Sequence, residues 1–230
     1  MSKGKLIVID GIDGSGKATQ VGFLKKRLQK EGMKIKTIDF PRYYDNFFGK
    51  LLGEYLAGAF GDFIQVDSRI ASVLFAADRF ESGKQIQTWL GQGYVVIADR
   101  YATANQIHQG GKIKNLKERK EFIAWLDTME YSVFKIPRPD LVIYLDVPFE
   151  VSKMWLEKKV AIRKKKYLKG RKDVAEDNLL HLKNSRESAL LLEKQNKNWE
   201  KVECCKGTAC MSPEQVHEQV YNIVNKKLKK

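Results

Sequence analysis

Three glycines and a lysine within seven residues, Gly11-Ile12-Asp13-Gly14-Ser15-Gly16-Lys17, constrain this chain more than any other stretch. They follow the β-branched run Ile7-Val8-Ile9 and open a helical pattern. The spacing is G-x-x-x-x-G-K, a loop whose successive backbone N–H groups converge on a phosphate while the lysine reaches the β- and γ-phosphates. Glycines suit it because a side chain would block that approach and because tight turns need positive φ. The N-terminus of the following helix adds attraction for anions. One position departs from the pattern. Ala18 stands where a Ser or Thr hydroxyl would face Mg²⁺, and Thr19 lies about 100° further round the helix.

A chain of 230 residues predicts a single domain spanning 1–230, large enough for a sizeable core. The formal net charge of +14 favours anionic partners such as nucleotides, nucleic acid or acidic surfaces. Cys204, Cys205 and Cys210 cannot all pair and sit in no zinc-type spacing, so they are expected to be thiols in a reducing compartment. No apolar run suits a signal peptide or a membrane span, and a cytoplasmic protein is expected.

Beyond the loop, the pattern alternates between helix and strand. Val21, Phe23, Leu24 and Leu28 share a helical face that Gly32 ends, and Lys34–Asp39 alternates as a strand. Phe40-Pro41-Arg42-Tyr43 follows the end of that strand, the side of an open α/β sheet where ligands bind. Helical segments are expected near Phe47–Ala59 and Arg69–Trp89. In the second, Phe75 and Arg79 stand at i,i+4, able either to stack on and hydrogen-bond a base or to join the core, with Arg79 paired near Asp78 or Glu81. Tyr94–Ala98 reads as a central strand that delivers Asp99, a candidate Mg²⁺ carboxylate, and Arg100, a candidate phosphate contact. Asn105 and Gln109 fall on one helical face as possible readers of base edges, whereas His108, one residue off that face, reads as packing or surface.

Asp140–Asp146 predicts another buried strand, and Phe149 opens a helix that reaches about Lys159. Nine of the fifteen residues from Lys158 to Lys172 are Lys or Arg. This run is either a solvated or nucleic-acid-binding face or a lid closing over polyphosphate. Asp173 and Glu176 follow it at i,i+3. A helix from about Glu176 to Gln195, a strand near Trp199–Cys204 and a last helix capped by Ser212 complete the chain.

In combination, Gly-Ile-Asp-Gly-Ser-Gly-Lys-Ala-Thr-Gln (11–20), Phe-Pro-Arg-Tyr (40–43), Leu-Phe-Ala-Ala-Asp-Arg (74–79) and Asp-Arg-Tyr (99–101) closely resemble the thymidylate kinase family over essentially the whole chain. The resemblance implies a P-loop NTPase-type three-layer α/β sandwich, with about five parallel strands flanked by helices. It implies a basic lid near 158–176, a homodimer, and transfer of phosphate from ATP to dTMP with Mg²⁺. It assigns ATP to Gly11, Ile12, Asp13, Gly14, Ser15, Gly16, Lys17, Ala18, Thr19 and Gln20. The dTMP site would comprise Asp13, Phe40, Arg42, Tyr43, Phe75, Arg79, Arg100, Tyr101, Asn105 and Gln109. Phe75 would stack on thymine, Arg79 would hydrogen-bond its O4 and Tyr101 would crowd the ribose 2′ position. Catalysis falls to Lys17, Asp13, Arg100, Arg163 and Arg171, and metal binding to Asp13, Asp99 and Glu176. Ala104, Ile107 and His108 depart from the usual residues after Asp-Arg-Tyr, which leaves dUMP or UMP as alternative acceptors. Other readings are a nucleotide-binding protein without turnover, suggested by Ala18, and a nucleic-acid-binding ATPase, suggested by charge alone. No helix-turn-helix, zinc or RNA-binding signature supports the last of these, and nucleic acid is not an expected partner.

Overall fold

The computed structural model describes residues 4–62, 65–160, 179–207 and 209–229, with the side chains at 157–160 excepted. Five parallel strands form the main sheet in the order β2-β3-β1-β4-β5: β1 (Lys5–Asp10), β2 (Ile35–Asp39), β3 (Val95–Asp99), β4 (Leu141–Asp146) and β5 (Trp199–Glu203). Because strand side chains alternate, β1 serves two cores. Ile7 and Ile9 face α1 (Lys17–Lys30) and α8 (Pro213–Leu228), where they meet Leu24, Leu28, Val216, Val220 and Val224. Leu6 and Val8 face α3 (Ser68–Gly91), α4 (Ala102–Gly111) and α7 (Leu179–Gln195), where they meet Ile86, Leu90, Ile107, Ala189 and Leu192. Burial on both faces explains why β3 and β4 read as unbroken apolar runs.

Two smaller packing units flank this sandwich. The helix α2 (Phe47–Leu56) leans on α3 through Leu52, Leu56 and Ala71, with Tyr43 and Phe75 against them. Phe122 and Leu126 of α5 (Leu116–Asp127) pack with Met129 on Ala76. A π-helical turn, Thr128–Val133, continues directly from α5. Neither α5 nor this turn emerged from the sequence pattern.

At the C-terminal end, α8 starts as expected. Ser212 Oγ accepts from the Gln215 N–H at 3.2 Å and Gln215 Oε1 accepts from the Ser212 N–H at 2.8 Å, a reciprocal cap with Pro213 in the first turn. The expectation of three thiols is corrected. Cys205 and Cys210 face each other across a short antiparallel hairpin, β6 (Cys205–Lys206) and β7 (Ala209–Cys210), and form a disulfide, leaving Cys204 as a buried thiol. Five residues of separation allow the chain to turn back on itself, a local geometry that a spacing count does not expose. Among the described residues no helix is long and apolar enough to cross a membrane.

Candidate active site

The carboxyl ends of β1 and β3 define the site. β1 ends in Asp10, whose buried carboxylate accepts from the Gly11 N–H at 2.9 Å and the Thr103 hydroxyl at 2.6 Å, pinning the start of the loop to α4. Burial lifts the Asp10 pKa, against the pull of Arg100. Gly14 and Gly16 then adopt φ of 82° and 90°, left-handed conformations that a β-carbon would strain. Gly16 stands immediately before α1, so the N-terminus of that helix, which favours anions, opens directly from the loop. The hydroxyl of Ser15 is buried in this loop without a hydrogen-bond partner among the described residues.

Lys17 occupies the first turn of α1, almost fully buried, with Nζ donating to the carbonyls of Gly11 at 2.9 Å and Ile12 at 3.0 Å. Burial, and then the neighbouring Arg100, lower its pKa, while Asp13, Asp99 and Asp10 oppose them. Gln20, one turn on, is also buried, but its Nε2 donates to the Pro213 carbonyl at 2.9 Å and so ties α1 to α8.

Arg100 closes the site from β3. Its backbone N–H donates to Ile9 at 3.0 Å and its φ is +64°, a left-handed conformation that costs about 1–3 kcal/mol for a residue with a β-carbon. Its guanidinium pairs with Asp13 of the loop, whose own backbone carbonyl accepts from Ser152 of α6 (Phe149–Val160). Burial alone would lower the Arg100 pKa. The carboxylates of Asp13, Asp10 and Asp99 override it and hold the pKa above its ordinary value. Asp99 is pushed up by burial, with Lys17 and Arg100 pulling it down.

The second half of the site lies along α3. Phe40 packs on Tyr101 with ring centroids 5.8 Å apart. Arg42 donates its N–H to Asp78 at 3.0 Å and its Nη2 to Asp45 at 2.8 Å, while its Nε is buried without a partner among the described residues. Phe75 is half-buried in the small cluster with Tyr43, outside both main cores. Arg79 corrects a sequence expectation, because its partner is neither Asp78 nor Glu81. It forms a two-point ion pair with Glu130, both almost fully buried, and Asn105 Nδ2 donates to the same carboxylate at 3.1 Å. The hydroxyl of Tyr101 and Oε1 of Gln109 are buried and have no partner among the described residues.

The loop and Arg100 therefore come together, with Asp99 close to Lys17, while Arg42 and Asn105 are joined to α3 through Asp78 and through Glu130. Of the expected metal set, Asp13 and Asp99 are described and Glu176 is not, and among the described residues no group of three metal-binding side chains occurs. Arg163, Arg171, Asp173 and Glu176, and all of the 158–176 lid beyond residue 160, lie outside the described residues. Three supporting residues were missed in the sequence. Asp78 could have been found as the residue preceding Arg79 in the Leu74–Arg79 motif. Glu130 gave no local signal, and His108, read as packing or surface, touches Arg100.

His181 of α7 also lies here, stacked on His108, and burial lowers its pKa to about 4. Its folded-state value is below the unfolded value of 6.5, so the neutral form is fully stabilised above pH 6.5 and stability falls as pH drops toward about 4. Thermal or urea unfolding of His181→Phe should lack this loss, the difference from the parent approaching roughly 3 kcal/mol at the acid end. The pairwise comparison cancels the buried carboxylates Asp10, Asp39, Asp78 and Asp99, whose raised values act in the opposite sense. Parallel pH curves would show that His181 titrates normally.

A parallel sheet with a glycine-rich loop, a buried lysine and an arginine paired to that loop defines a P-loop nucleotide kinase. The thymidylate kinase family profile matches residues 9–220. A probable thymidylate kinase from Pyrococcus abyssi is 33% identical over 230 residues, covering 98% of both chains. The thymidylate kinase of Mycobacterium tuberculosis is 34% identical over 148 residues, 64% of this chain and 68% of that one. The structure of a Candida albicans thymidylate kinase superposes with a TM-score of 0.71 at 26% identity, covering 99% of this chain and 95% of that one. The chain belongs to the thymidylate kinase family, and its reaction is the phosphorylation of dTMP to dTDP.

Proposed function

We propose that ATP binds on the Gly11–Gln20 loop, that dTMP lies along α3, and that Arg100 bridges the two. The observation that carries this reading is the pairing of Arg100 with Asp13, which ties the loop of one nucleotide to the strand end beside the other. Phosphoryl transfer needs two anionic groups held in line with their charge offset and water excluded. Lys17 offsets charge on the donor phosphates, Arg42 and Arg100 hold the dTMP phosphate, and Arg163 and Arg171 complete the cage as the lid closes. Ser15, with its buried unpartnered hydroxyl, is available to an ATP phosphate.

The residues present fit a Mg²⁺ held mainly by phosphates and water, which needs only one or two carboxylates. Asp99, at the strand end beside Lys17, and Asp13 would supply them, with Glu176 from the lid, and the ion would neutralise charge on the β- and γ-oxygens. Ala18 contributes no ligand.

Thymine stacks on Phe75, with Arg79, Asn105 and Gln109 at its edge and Tyr101 against the sugar. The half-buried position of Phe75 and the unpartnered Gln109 Oε1 support this arrangement. Phe75→Ala should raise KM for dTMP about tenfold or more, the loss of one stacked base contact, and leave KM for ATP nearly unchanged. Equal losses for both substrates would return Phe75 to packing. The same assay with UMP and dUMP tests acceptor choice, and UMP turnover equal to that of dTMP would overturn the deoxythymidylate pocket. A homodimer is also proposed, supported by the exposed apolar side chains Ile70, Val73 and Phe80 on α3, and light scattering on the assayed sample decides it. Cytoplasmic location remains part of the proposal, to be checked by cell fractionation.

A further inference from the structure

Arg100 is braced from behind by a histidine that the transfer scheme above does not use. Arg100 Nη1 lies 2.7 Å from His108 Nε2, and His108 Nδ1 lies 3.1 Å from Ser185 Oγ on α7. A guanidinium can only donate, so Nε2 must accept, the imidazole is neutral, and its proton sits on Nδ1 facing Ser185. Burial, then the charge of Arg100, hold His108 in that neutral form. The ring stacks on His181 with centroids 5.6 Å apart. The helices α4 and α7 approach closely enough for this because of Gly111, where a β-carbon would lie 2.9 Å from the Asn184 carbonyl oxygen. A second tie, Ser188 Oγ donating to the Gln106 carbonyl at 3.0 Å, fixes the same crossing.

We propose that His108, its ring held by Ser185, is a positioning residue that aims Arg100 at the reacting phosphates. The proposal rests on the phosphate-bridging role given to Arg100 above. Two anchors orient the guanidinium: Asp13 holds Nη2 and His108 holds Nη1. When a phosphate competes with Asp13 for the guanidinium, the bond to His108 is the anchor that remains. Without it the planar fork swings about its long side chain, and an error of about 1 Å in such a group can lower a rate up to about 10²-fold.

Two substitutions make opposite predictions for positioning and packing. His108→Phe keeps a ring against His181 and removes the acceptor, whereas His108→Gln loses the ring and returns an acceptor oxygen near the Nε2 position. With positioning, His108→Phe lowers kcat by up to about 10²-fold with little change in KM for ATP, and His108→Gln recovers most of the rate. If His108→Phe matches the parent while His108→Gln is slow, the histidine is packing and the proposal fails. Should His108→Phe not fold, Ser185→Ala carries the test, because it removes the partner that holds the His108 ring through Nδ1. A few-fold fall in kcat is expected, and parental kcat overturns the proposal. Arg100→Ala, assayed alongside, separates the two readings. Retained activity there removes the role of Arg100 itself, whereas its loss together with a fully active His108→Phe removes only the role of His108. Adding His108→Phe to Arg100→Ala should slow the enzyme no further.

Discussion

Lys17→Ala is expected to lower kcat by roughly 10²–10³-fold while the protein still folds. Lys17 is almost fully buried and its Nζ makes two hydrogen bonds to the loop carbonyls of Gly11 and Ile12, so the charge is already stationed where donor phosphates would arrive. A cation held in place before reaction needs no reorganisation as charge moves onto the transferring group, which is the condition for a large electrostatic contribution. Burial weakens its hold on the proton, and phosphate oxygens would restore it by adding opposite charge. Stability should change little, because the freed carbonyls belong to the loop rather than to the sheet. The decisive comparison is single-turnover dTDP formation against calorimetric binding of ATP. Slow transfer with binding largely retained is the expected pair of results, and a parental rate would remove the loop from the donor site.

The parts of the fold that could be read in advance were those governed by local chemistry. The strands β1, β3 and β4 announced themselves as apolar runs because both faces are covered, and the loop because only glycine fits its turns. Ser212 and Pro213 marked the start of α8 for the same reason. What stayed hidden depends on contacts between distant residues. Glu130 lies fifty-one positions from Arg79 and on an unremarkable stretch, so no spacing rule links them. The contact from His108 to Ser185 crosses seventy-seven positions and exists because α4 and α7 touch at a glycine. Cys205 and Cys210 show the opposite limit: they are near in sequence, but pairing needed the β6–β7 hairpin that the pattern did not reveal. The phosphate loop was therefore legible as a sequence feature, and the shell that orients its partners was not.

That hidden shell is also where the largest effect on stability is expected. Glu130→Ala would leave the Arg79 guanidinium buried without its counter-charge and would take from Asn105 the carboxylate that its Nδ2 donates to. Removing one member of a buried pair typically costs about 3–5 kcal/mol, because desolvation of the remaining charge is no longer offset. For a domain of this size that corresponds to a fall of about 10 °C in Tm, readable by calorimetry. A Tm within a degree or two of the parent would mean that the charge finds water or another partner. The double variant Arg79→Met/Glu130→Leu removes both charges together and should recover most of the lost stability, since apolar replacements of similar volume avoid the desolvation penalty altogether. Activity then separates the two roles of Arg79. Its Nε and Nη2 are committed to Glu130, so a contact with thymine must come from the rest of the guanidinium or from the orientation it imposes on Asn105. If the base is read there, the stable double variant binds dTMP weakly. If the pair serves only to join α3 to the turn after α5, dTMP binding returns with the stability.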